Sequence, residues 1–267
     1  MEPNWDWIES SALHQKISIE GMEIYWEKYG EGPEVLLFIA GFLEDISSVF
    51  HPLWEKMYSK QFTLVGIDLP GYGHSRPPNR DFSMEDSIYD RDARVARELM
   101  KELGYEKFSV VAHKSGCIPA ILLACNCPDV VDTVIMVSPP TTVDDRTVAA
   151  TKYLTNLDVW EEETRTYLLR RYGRAYVEEV LKGRAKSVEI EGSTQKLLTK
   201  LKDKCKTYKA PTLVIKETKD DSVPPKDAYG ILESIPNLRF HTVKGGQQSH
   251  LTFLKELVEV VEDFLWV

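Results

Sequence analysis

A chain of 267 residues, 43% hydrophobic and 28% charged, is long enough to bury one large core and to carry an inserted subdomain. Its formal net charge of -9, with acidic and basic residues interspersed, argues against a nucleic-acid binder. No stretch approaches the length of a transmembrane helix, and the acidic opening MEPNWDWIES lacks the apolar centre of a secretory signal, so no membrane association and a cytoplasmic location are expected.

In chain order, residues 16–20 and 22–29 alternate apolar and polar side chains around Gly21, the pattern of an antiparallel hairpin with one wet face. Residues 35–40 (VLLFIA) and 63–67 (TLVGI) are short apolar runs, which predicts parallel strands buried on both faces. Between them, Leu53, Trp54 and Met57 give residues 51–61 helical spacing, and residues 88–103 form a charged amphipathic helix. Residues 108–112, 133–137, 212–215 and 239–243 read as further parallel strands, and residues 251–264 as the last helix. The interval 141–209 interrupts this alternation, with helical patterns at 147–157, 160–172, 175–181 and 194–205 and no convincing strand. The expected architecture is an α/β core over 1–140 and 210–267, with a mostly parallel sheet flanked by helices and an inserted helical cap at 141–209. Ligands of such sheets sit at the carboxyl ends of the strands, where a cap would exclude water.

The four cysteines, Cys117, Cys125, Cys127 and Cys205, lack a paired metal spacing and read as free thiols; neither a metal nor a cofactor is expected. The segment 108–116, FSVVAHKSG, followed by the helix-like IPAILLAC, has the strand, turn and helix context of a nucleophile elbow, G-x-S-x-G. Its five positions here are Ala112, His113, Lys114, Ser115 and Gly116, so lysine stands at the centre and the serine comes one place late. A shift that centred Ser115 would make Cys117 the closing glycine, whereas Gly116 fits the unshifted frame.

The run DLPGYGHSRPPNRDF (68–82), the cap stretch from Trp160 to Gly173, Asp220 with Val223-Pro224, and the terminal EDFL resemble the α/β-hydrolase fold superfamily. Within it the chain is most similar to the valacyclovir hydrolase (biphenyl hydrolase-like) group, along nearly its whole length. The resemblance implies an eight-stranded sheet, with Asp220 as the acid of the triad and the backbone amides of Phe42 and Ser115 as oxyanion donors. It also places Lys114 at the nucleophile position and Gln247 at the histidine position, so two of the three triad side chains are replaced. His250 is a neighbouring candidate base, and Glu44 takes a usually small position beside the oxyanion hole. Ser115 is neutral where valacyclovir hydrolase carries an acid linked to recognition of an amino group.

A carboxamide cannot shuttle a proton as histidine does, and a carboxylate beside the oxyanion hole opposes developing negative charge. These losses point to a non-hydrolytic protein that binds a small apolar or carbonyl-containing ligand or acts in regulation. In that reading Lys114 plugs the old site by reaching Gln247 or Asp220. A second expectation uses Lys114 as an amine nucleophile or acid/base on a carbonyl, because a helix N-terminus and burial both disfavour the ammonium. A third keeps serine esterase activity through Ser115 and His250, with His113 as a neighbour of the nucleophile.

Overall fold

A computed structural model describes residues 13–57, 60–82, 87–140, 145–190, 203, 208–217, 235, 237–243 and 254–266. Eight strands form one sheet: β1 (Leu13–Ile19), β2 (Met22–Tyr29), β3 (Glu34–Ile39), β4 (Phe62–Ile67), β5 (Phe108–His113), β6 (Val131–Val137), β7 (Thr212–Glu217) and β8 (Leu238–Val243). Their order across the sheet is β1-β2-β4-β3-β5-β6-β7-β8. The β1–β2 hairpin and the β2–β4 pairing are antiparallel, and every other pairing is parallel.

The central strands β4 and β5 are buried at every position, which is why they read as unbroken apolar runs. Strand pleating sends alternate side chains to opposite faces, so Leu37 and Ile39 join one apolar cluster while Leu36 and Phe38 join the other. The first cluster is closed by helices α3 (Ile88–Glu102) and α4 (Cys117–Asn126). On the second face Phe50, Leu53 and Trp54, from the short helices α1 (Ile46–Val49) and α2 (His51–Trp54) and the residue joining them, pack with Leu257, Val258 and Val261 of α8 (Leu254–Leu265).

Two local expectations are corrected. The helix expected over 51–61 is instead the pair α1 and α2, with helical structure beginning at Ile46 and ending at Trp54. The start is set by Asp45, which accepts from the Ser48 N–H in a reciprocal capping box, and Pro52 begins the second turn. Between β6 and β7 the elements of the described residues are helical: α5 (Asp145–Tyr153), a 3₁₀ turn (Leu157–Val159), α6 (Glu162–Tyr172) and α7 (Arg174–Ile190). The last of these runs through Gly183, although the helical pattern at 175–181 stopped short of it. A Cβ at Gly183 would lie 2.4 Å from Phe82 Cδ2, so the glycine marks a close packing contact and not a helix end. The helix expected at 194–205 lies outside the described residues, Asp203 excepted.

Helices α6 and α7 are bonded to the loops that follow β3 and β4. Tyr167 O–H and Arg171 Nε–H both donate to Asp45 Oδ2 at 2.9 Å, and Gly73 N–H donates to Tyr172 Oη at 2.9 Å. Arg80 N–H donates to Tyr176 Oη at 3.1 Å, and Tyr176 O–H donates to the Gly71 carbonyl. These bonds hold the two helices at the carboxyl ends of the parallel strands, where the elbow also lies.

Candidate functional site

The elbow is built as its sequence context requires. β5 ends at His113 in extended backbone, Lys114–Gly116 make a 3₁₀ turn, and α4 follows directly. Lys114 has φ +46°, the left-handed region that a long side chain avoids at a cost of roughly 1–2 kcal/mol. Gly116 permits the turn, because a Cβ there would meet the carbonyl oxygens of Ile39 and Ala40 at 2.5 Å. The unshifted frame, with Lys114 at the centre and Gly116 closing, is therefore the frame the backbone adopts.

The Lys114 ammonium donates to Glu44 Oε1 at 3.0 Å. The other oxygen, Oε2, accepts from Gly41 N–H at 2.8 Å and lies 2.8 Å from Nδ1 of buried His113. Burial alone would push the Glu44 carboxyl up, but the charges of His113 and Lys114 and their hydrogen bonds outweigh it, holding the group well below the usual carboxylate range. Glu44 is thus a fixed anion directly beneath the elbow. The desolvation expected for Lys114 does not occur: its side chain is 45% exposed against 18% for Glu44. Its expected partners, Asp220 and Gln247, lie outside the described residues, as does His250; Glu44 is the partner among those described. His113 is tied to Glu44, and Cys117, whose thiol burial pushes up, donates to the Ala112 carbonyl at 3.4 Å.

Phe42 and Ser115, the two positions read as oxyanion donors, line one cleft together with Gly41. That cleft has a volume of about 10 Å³, the space of a single water. Its walls combine Leu69, Phe82 and Ile88 with polar groups that the sequence reading did not assign. Arg80 makes two bonds to Asp92, Nη1 to Oδ1 at 3.2 Å and Nη2 to Oδ2 at 2.5 Å, with both side chains almost fully buried. Its guanidinium also donates to the Pro70 carbonyl at 2.8 Å and lies 4.4 Å from the Tyr72 ring centroid. From α7, the Arg184 guanidinium stands 4.3 Å over the Phe42 ring. A signal for Asp92 was present: it is a charge on the apolar stripe of α3, between Tyr89 and Ala96. Arg184 carries no local signal.

A second polar group lies beside the elbow. Asp68, at the end of β4, accepts from Ile46 N–H at 2.9 Å and His74 N–H at 2.8 Å. Burial, and secondarily the neighbouring Asp45 charge, push the Asp68 carboxyl up against these bonds. Burial also pushes on Asp45, but Arg171 and the donors from Ser47, Ser48 and Tyr167 prevail and hold it below the usual range. Among the described residues there is no group of metal-ligating side chains and no helix long and apolar enough to cross a membrane, and Cys117, Cys125 and Cys127 are not in disulfides.

A family model described as the alpha/beta hydrolase fold matches residues 34–156. Serine hydrolase BPHL of Mus musculus is 29% identical over 262 residues, covering 96% of this chain and 87% of that protein. The protein of the same name from Homo sapiens is also 29% identical, over 263 residues and with the same coverage. Among solved structures, the enol-lactonase of Burkholderia xenovorans LB400 superposes with a TM-score of 0.73 at 16% identity, over 94% of this chain and all of that one. Strand order, elbow and these matches agree: the chain has the α/β-hydrolase fold and resembles serine hydrolase BPHL along most of its length.

Proposed function

We propose that this chain uses the α/β-hydrolase fold to hold a small ligand at the elbow, beneath a cap formed by the helices of 141–209, and does not cleave esters through an elbow serine. The observation that carries this reading is the Lys114–Glu44 pair: an ammonium at the central elbow position, with φ +46°, bonded to a carboxylate that also takes the Gly41 amide. A protonated amine has no lone pair for attack, and Glu44 already takes up the Gly41 amide, a backbone donor in the wall of the cleft. Lys114 as a Schiff-base nucleophile would first have to leave Glu44 and lose its proton, which makes carbonyl chemistry the weaker use of the same residue.

The test is a fluorophosphonate probe applied to the full chain, followed by peptide mapping. No covalent adduct is expected. An adduct on Ser115 would overturn the proposal in favour of the second reading, a residual esterase using Ser115 and His250. That reading draws on the name serine hydrolase borne by both BPHL relatives and on the place of Ser115 in the wall of the cleft.

A further inference from the structure

We propose that the elbow cleft takes a monoanionic ligand, a carboxylate on an apolar or aromatic body, and that Arg184 is the residue that holds its charge. The inference rests on the reading of the elbow as a ligand site and names the ligand class.

Charge balance in the cleft carries the argument. Arg80 is neutralised by its two bonds to buried Asp92. Lys114 is neutralised by Glu44. Arg184 has no carboxylate partner among the described residues; its guanidinium lies over the face of Phe42, with Tyr72 in the same wall of the cleft. Among the described residues the cleft therefore offers one guanidinium without a carboxylate partner, set among Phe42, Phe82 and Ile88. A guanidinium resting on an aromatic ring is held less tightly than one in a bidentate, charge-assisted pair with a carboxylate at the same place. A carboxylate entering the cleft is thus able to draw Arg184 off Phe42.

That exchange also accounts for how so small a cleft admits a ligand. With Arg184 over Phe42 the space is about 10 Å³, and both side chains line it. Swinging the long Arg184 side chain away opens the wall from the α7 side without disturbing the buried Arg80–Asp92 pair. The Arg184 fork matches one carboxylate; a dianion would need a second cation, and Lys114 is committed to Glu44.

The experiment titrates the full-length protein with phenylacetate and octanoate, and with phenylacetamide and phenethylamine as neutral and cationic counterparts, followed by ligand-observed NMR. Saturable binding of at least one carboxylate is expected, with the amide and amine about tenfold weaker or more. Arg184→Gln should weaken carboxylate binding about tenfold, and Arg184→Lys should recover part of it. Circular dichroism and thermal melting of both variants establish that they are folded. Equal binding of amide and carboxylate, undiminished binding by Arg184→Gln, or no saturable binding of either carboxylate overturns the inference. Methyl phenylacetate in a parallel tube separates the two claims: its hydrolysis would sink the non-hydrolytic reading, whatever the Arg184 variants show.

Discussion

Asp92→Ala is expected to lower the free energy of unfolding by about 3–5 kcal/mol, the range for breaking a buried ion pair by removing one partner. Asp92 is 0% exposed and Arg80 5%, so the guanidinium left behind would have no water to replace the two lost bonds. Arg91 adds to the loss, because its Nη2 lies 3.6 Å from the same carboxylate. The damage should reach the site. Arg80 positions Tyr72 and Pro70, and its backbone amide is bonded to Tyr176 of α7. Urea denaturation of wild type, Asp92→Ala and the apolar double variant Arg80→Met/Asp92→Leu checks the argument. The double variant should recover much of the loss, since what costs most is the stranded charge. A loss below about 1 kcal/mol in the single variant would show that water reaches Arg80.

Glu44→Ala should cost on the order of 2–3 kcal/mol at neutral pH, the scale of charge-assisted hydrogen bonds from buried donors. The half-exposed Lys114 arm of the network contributes little of this, because solvent screens it. The main loss is at His113 and Gly41 N–H, which have Glu44 as their acceptor. The sign of the pH dependence follows from the depressed Glu44 carboxyl. Its contribution is fully present above the ordinary carboxylate value near 4.5 and is lost as pH falls below it. The stability gap between wild type and Glu44→Ala should therefore be constant near neutrality and shrink on acidification. Denaturant melts of both proteins across that range measure it; a gap that widens at low pH would contradict an anionic Glu44. The same variant frees Lys114, so borohydride trapping with benzaldehyde should label Lys114 more strongly in Glu44→Ala than in the wild type.

The sheet was the most legible part of the chain. Runs such as VLLFIA and TLVGI are apolar at successive positions because both faces of a central parallel strand are covered, and β3 and β4 occupy them. The elbow was legible for a related reason. Strand, tight turn and helix are adjacent in sequence, so Gly116 and the helix after it locate Lys114 without knowledge of distant contacts. Helix ends were less legible. The stop expected near Leu181 and the start expected at His51 were displaced by a packing contact with Phe82 and by the Asp45 cap.

What the sequence by itself determined is the fold, the lysine at the centre of the elbow and the presence of a carboxylate, Glu44, on the loop after β3. Periodicity and turn chemistry are local properties, and these features depend on little else. The tertiary structure alone decided that Glu44 is the partner of both Lys114 and His113, that Arg80 is balanced by Asp92, and that Arg184 faces Phe42. Each of these pairs joins two separate elements, and except for Arg80–Asp92 elements far apart in the chain, brought together where the carboxyl ends of the strands meet α6 and α7. Charge pairing at such a place is set by which side chains the packing leaves within about 3–4 Å of one another, and no spacing rule along the chain encodes that distance.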